Sequence, residues 1–164
     1  MLLLLFKLGA DRYALDAGRV VEIVPLVALK KVPQAPKGLA GIFNYRGQPV
    51  PAVDLCELAL DRPASERLST RIIIINYHSP EGTGHLLGLI AEHATQTLRK
   101  DAKEFVDPGI QIGGAQYLGP VLLDPLGPIQ LIHEQRLLTA RVRDLLFAQP
   151  AAARGGSLNS PATG

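Results

Sequence analysis

The stretch GIFNYRGQPVPAVDL, Gly41 to Leu55, reads as two apolar strands joined by a tight turn. Gly47 can take the positive φ that a short hairpin turn needs, and Arg46 stands beside it at the tip. Pro49 and Pro51 follow, two apart, on one side of an extended segment. Proline donates nothing to a sheet ladder, so the pair marks an edge strand or a strand start. No acid stands close to Arg46 in sequence. An arginine on a rigid hairpin at a sheet edge is therefore placed to meet another molecule.

Outward from this hairpin, short strands and turns alternate. Leu2 to Leu8 is an apolar run ended by Gly9-Ala10-Asp11 and followed by Arg12 to Leu15, the pattern of a β-hairpin. Asp16 can cap a single helical turn through Arg19. Val20 to Val24 is a β-branched strand carrying Glu22, and Pro25 ends or bends it. Pro33 and Pro36 force extended chain before a short turn or helix over 37–40. Beyond the hairpin, Asp54 is suited to cap a short helix reaching Leu60, and Arg62 to Thr70 is a polar loop.

Ile72, Ile73, Ile74 and Ile75 form an unbroken β-branched run, which predicts a strand buried on both faces. The loop HSPEGTG, His78 to Gly84, joins it to a return strand over His85 to Ala91, extended by Thr95 to Leu98. Gly82, Gly84 and Gly88 are read as turn glycines, because no helix follows them as a phosphate loop requires. Asp101 to Val106 allows one turn of helix at most, and Pro108 to Ala115 is irregular. Gln116 to Leu123 and Ile129 to Ile132 read as strands around DPLGP. Leu137, Leu138, Val142, Leu145 and Leu146 predict one helix over Glu134 to Phe147. The segment 148–164, rich in Ala, Gly, Ser and Pro, reads as a disordered tail. Many short strands broken by turns indicate an antiparallel β protein. Two clusters of strands fit two small barrels, and periodicity alone does not separate that from one sandwich.

Composition narrows the function. The 164 residues suffice for one domain or a domain of two small lobes. Such a chain can bury about 70% of its unfolded surface. Aromatics make up 5% and there is no Trp, which disfavours base stacking. The net charge is +2, and the cations are scattered rather than gathered on one block, so no nucleic-acid partner is expected. Cys56 is the one cysteine, read as a small buried thiol with no cation adjacent to activate it. The opening MLLLL has no basic region before it, and no apolar run approaches the about 18 residues of a membrane span. A cytoplasmic protein with no direct membrane insertion is expected.

Catalytic patterns are missing. The four histidines, His78, His85, His93 and His133, have no i, i+4 pair and no Cys or Asp cluster with them. There is no Gly-x-Ser-x-Gly elbow and no ATP-binding motif. Neither an enzyme nor a metal or other cofactor is expected.

The hairpin closely resembles the signature of the CheW-like domain, the coupling module of bacterial chemosensory arrays. There a Gly-x-x-Asn-x-Arg-Gly run precedes a Val-Pro-x-x-Asp-Leu strand, matched by Gly41, Asn44, Arg46, Gly47, Val50, Pro51, Asp54 and Leu55. FKLGADRYALDAGRVVEIV matches the family's first hairpin and next strand. Val32-Pro33 and Ala35-Pro36 match its approach to the signature, RIIIINY and HLLGLIAEHATQTL its central hairpin, and YLGP its end. The likeness covers about residues 3 to 147.

The resemblance implies two five-stranded SH3-like barrels packed together, as one CheW-like domain over 1–147. It implies an adaptor bridging the cytoplasmic tip of a chemoreceptor and the regulatory domain of a CheA-type histidine kinase. Val20, Glu22, Gly41, Asn44, Arg46 and Gly47 are then the expected receptor- or kinase-binding residues, with Val20 giving apolar contact and Glu22 a rim charge. The chain departs from the family where a Val-Asp-x-Val run is usual and Ile90-Ala91-Glu92-His93-Ala94 stands instead. Pro120, Pro125 and Pro128 also crowd the closing hairpin and argue against a regular ladder there. These departures suggest a coupling protein of an alternative chemosensory pathway. A small-barrel nucleic-acid binder stays open as the other reading.

Overall fold

The computed structural model describes residues 1–110 and 112–147, and the tail expected over 148–164 lies outside the described residues. Ten strands run in the order β1 (Leu2–Leu8), β2 (Asp11–Asp16), β3 (Val20–Pro25), β4 (Leu39–Tyr45), β5 (Gln48–Asp54), β6 (Arg71–His78), β7 (Gly84–Arg99), β8 (Phe105–Val106), β9 (Leu118–Asp124) and β10 (Gly127–Ile132). One short helix, α1 (Leu55–Leu60), follows β5.

The strands form two lobes that share β7. In the first, β3 pairs β6, β6 pairs the first half of β7, and β7 pairs β5, which pairs β4. In the second, the far half of β7 pairs β1, and the order continues through β2, β10, β9 and β8. Two small mainly β lobes are as expected, but neither ladder closes: β3 and β4 end the first, and β8 ends the second. Strand β7 changes lobe at Glu92 and His93, where His93 takes φ 50° and the register against β1 shifts. A bulge of this kind bends a strand and lets it serve two sheets.

The isoleucine run explains how the lobes are joined. Ile72 and Ile74 fill the core inside the first lobe with Phe43, Val50, Ala52 and Ile90. Ile73 and Ile75 face the other way, into a core shared by both lobes. Strand β1 does the same from the other side: Leu3 and Leu5 enter the core of the second lobe, while Leu4, Phe6 and Leu8 enter the shared one. Successive side chains of a strand point to opposite faces, so an unbroken apolar run can serve two cores at once. Each fully buried Leu or Ile contributes roughly 1.5–3 kcal/mol. The two runs therefore bind the lobes into one hydrophobic unit.

Three readings of the sequence are corrected. The proline-crowded hairpin does form a ladder, from Gly127 against Asp124 to Gln130 against Val121. Pro120 falls in the register shift between Val121 and Leu118, outside the paired positions. Pro125 sits in the turn itself, where a fixed φ helps. Asp124 anchors that turn, accepting from Leu126 N–H at 3.1 Å and from Arg12 Nη1 at 2.8 Å.

The closing helix is split. A 3-10 turn covers Glu134–Arg136, and helix resumes over 140–147. Thr139 breaks the run by capping: its Oγ1 accepts from Val142 N–H at 3.2 Å. Gly88 is no turn glycine. It lies within β7 opposite Ala52 and Ile74, and a Cβ there would stand 2.8 Å from both Ile72 and Phe43. Close packing of neighbouring strands, not backbone freedom, requires glycine at this point.

Candidate functional site

The signature hairpin is β4, Arg46-Gly47 and β5. Both turn residues have positive φ, 52° for Arg46 and 83° for Gly47, as a type I′ turn demands. Asparagine and glycine take such angles readily; arginine does so against its preference. Asn44 stabilises the turn, its Oδ1 accepting from Gly47 N–H at 2.7 Å. Pro49 and Pro51 lie opposite Asn44 and Ile42, and β5 gains its second neighbour, β7, only from Ala52 onward. The prolines thus occupy an edge, as their spacing suggested.

Gly41 is buried, and a Cβ on it would stand 2.6 Å from the Lys30 carbonyl oxygen. Its part is to let the Leu29–Lys30 segment bond across β4, where Lys30 and Ile42 exchange hydrogen bonds of 2.9 and 2.8 Å. Val20 and Glu22 stand on opposite faces of β3. A one-residue bulge at Val21 sets Val20 against Ile75 and Glu22 against Ile74, so Val20 packs on the shared core. Glu22 instead meets the hairpin tip.

The acid that the neighbouring sequence lacks is brought to Arg46 by the fold, from 24 positions away. Arg46 Nη2 lies 3.0 Å from Glu22 Oε1, and Tyr45 donates its hydroxyl to the same oxygen at 2.5 Å. The guanidinium carbon also stands 5.2 Å from the centre of the Tyr45 ring. The bond to Glu22, joined by partial burial, raises the Tyr45 hydroxyl above its ordinary pKa. The Arg46 side chain is 75% exposed and that of Glu22 38%, so the pair faces solvent. Tyr45 was missed in the sequence. It falls at a variable position of the motif, and no local signal ties it to an acid on a strand far away in sequence.

A second polar cluster is structural. Glu92, from the departure noted above, is buried and accepts from Gly9 N–H at 3.0 Å and Ser65 N–H at 2.6 Å. Arg62 adds bonds of 3.1 and 3.4 Å. Burial pushes the Glu92 carboxyl up, but these donors outweigh it and hold the group at about 2. Asp54 caps α1 as expected, accepting from Cys56 and Glu57 N–H, and its other oxygen takes Ala64 N–H at 2.9 Å. The two carboxylates pin the polar loop after α1 to the lobes. Cys56 is fully buried, and burial, with the charges of Glu92 and Asp54, pushes its thiol up to about 12. It carries no nucleophilic chemistry at neutral pH.

The second lobe carries a groove of about 1300 Å³. Val106, Ile110, Ile112 and Leu123 line it, each more than half exposed. Among the described residues no group of three or more His, Cys, Asp or Glu could hold a metal ion, and no helix is long and apolar enough to cross a membrane.

Known proteins agree with this architecture. The CheW-like domain model matches residues 2–142. The chain is 38% identical over 145 residues to a chemotaxis protein CheW of Treponema pallidum, covering 85% of this chain and 82% of that one. It is 28% identical over 149 residues to its namesake in Klebsiella aerogenes, covering 91% and 83%. The match to the Helicobacter pylori protein, 23% over 94 residues, spans 57% of this chain and about half of the other, 54%. The crystal structure of the scaffolding protein CheW from Thermoanaerobacter tengcongensis superposes with a TM-score of 0.74 at 24% identity, covering 86% of this chain and 89% of that one. With the Arg-Gly hairpin, the two β lobes and a family match over nearly the whole described chain, this protein belongs to the CheW-like domain family, a family of chemotaxis-signalling scaffolds.

Proposed function

We propose that the protein is a non-enzymatic chemosensory adaptor of the cytoplasm, coupling the cytoplasmic tip of a chemoreceptor to a CheA-type histidine kinase in an alternative chemosensory pathway. The observation that carries this reading is the type I′ hairpin that holds Arg46 exposed beside Glu22. The chain keeps arginine where asparagine or glycine would suit the backbone better. A residue set in a backbone conformation it disfavours points to a task outside the fold. A receptor helix would dock at this edge, with Arg46, Glu22 and Tyr45 as polar contacts and Asn44, Gly47 and Gly41 shaping the hairpin.

The kinase would use the other lobe. The groove lined by Val106, Ile110, Ile112 and Leu123 offers exposed apolar surface suited to a regulatory domain of the same fold. Reconstitution tests the whole reading. Purified protein, receptor cytoplasmic fragment and kinase should form a ternary complex with raised kinase autophosphorylation, and the protein alone should turn over no nucleotide. Kinase activity that is the same with and without the protein would sink the proposal.

A further inference from the structure

The Glu22–Arg46 pair is already neutralised within the chain, which decides what it can recognise. Tyr45 and Arg46 both donate to Glu22 Oε1. Among the described residues no donor reaches Glu22 Oε2, and no acceptor takes the Nη1 or Nε groups of Arg46. The exposed surface of the pair is therefore one open acceptor beside open donors, with no net charge.

A second carboxylate approaching Arg46 would meet the Glu22 charge, and a cation approaching Glu22 would meet that of Arg46. Both are disfavoured by like charge at short range. A hydroxyl would have to donate and accept from a single oxygen. A primary carboxamide separates the two functions: its oxygen can accept from Arg46 while its NH₂ donates to Glu22. Backbone amides in the interior of a partner helix are consumed within that helix, so along the face of a docked helix the group comes from a side chain.

We propose that Glu22 and Arg46 form a preorganised site for an Asn or Gln side chain of the docking partner, with Tyr45 as its positioning residue. Tyr45 occupies Oε1 and its ring backs the guanidinium, so the open oxygen and the open fork are held outward. The inference rests on the reading of this hairpin as the receptor-docking site, and it names the chemistry of that contact.

The experiment has two arms. In the first, isotopically labelled protein is titrated with acetamide and, separately, with sodium acetate at matched ionic strength, following the Arg46 Nε–H and Gly47 N–H resonances. Acetamide should give saturable shifts that fall several-fold in Tyr45→Phe, which keeps the ring, and in Glu22→Gln. A response to acetate equal to or larger than that to acetamide overturns the inference, as does an unchanged acetamide response in Tyr45→Phe.

In the second arm, each Asn and Gln of the receptor tip fragment is changed to the isosteric acid. One such change should weaken binding about tenfold to the wild-type protein and little further to Glu22→Gln. Fully additive losses at every position overturn it. A positive acetamide arm with a fragment that does not bind the wild-type protein would support the carboxamide site and reject the receptor as its partner.

Discussion

Glu22 and Arg46 stand 24 positions apart in the chain and 3.0 Å apart in the fold. The pair joins an edge strand of the first lobe to the tip of the signature hairpin, and the Tyr45 hydroxyl closes the triangle. An exposed ion pair of this kind adds little to stability, at most about 1 kcal/mol. Its value lies in where it holds the arginine.

Arg46→Asn separates stability from function. Asparagine tolerates positive φ, so its gain in the turn offsets the lost ion pair. Unfolding free energy should equal or exceed that of wild type by up to about 1 kcal/mol. Affinity for the receptor fragment should fall about tenfold or more. Denaturant melts and calorimetric binding on the same preparations read both effects, and a stabilised variant with undiminished binding would remove Arg46 from the docking site.

Glu22→Lys should weaken receptor binding far more than kinase binding. The change sets a second cation against Arg46 and takes away the acceptor that holds Tyr45 and Arg46. Rim charges decide which partner is accepted more than they decide total affinity. Each partner is measured separately; equal losses for both would mean the fold, not the site, has been damaged.

Ile73→Asp and Ile74→Asp should each abolish soluble expression. Both side chains are 0% exposed, and they point into different cores, the shared one and that of the first lobe. An unpaired buried carboxylate costs several kcal/mol, comparable with the whole stability of a domain this size. Soluble, cooperatively melting protein from either variant would contradict that assignment of faces.

Glu92 predicts an acid limb in the stability profile. Its carboxyl titrates near the ordinary 4.5 when unfolded and at about 2 when folded. A depressed folded value means that its stabilisation is complete above about pH 4.5 and is lost as pH falls toward 2, up to about 3 kcal/mol in all. Asp54, raised by burial, shifts the opposite way and cannot produce this limb. Glu92→Gln should be less stable at pH 7, and its profile should be flatter between pH 4.5 and 2. Parallel profiles for wild type and Glu92→Gln across that window would show that the Glu92 bonds contribute no net stability.

Much of this protein is legible along the chain because its signals are local. The turn at Gly47 follows from backbone sterics, since glycine takes the positive φ it needs. The cap at Asp54 follows from a side chain reaching two residues on, and the two-faced burial of β6 from four β-branched residues in succession. The proline-rich hairpin was misjudged because proline harms a ladder only where its N–H is needed, and register is a property of paired strands. What only the tertiary structure decided is which distant groups meet. A bulge of one residue at Val21 turned Val20 to the shared core and left Glu22 to Arg46, and a one-residue shift reverses the face of everything beyond it. Tyr45 joined them because β3 and the signature hairpin come together at one end of the first lobe. Strand pairing sets side-chain faces residue by residue, while charge neutralisation across strands depends on contacts far apart in sequence, so the hairpin could be read from the chain and its acid partner could not.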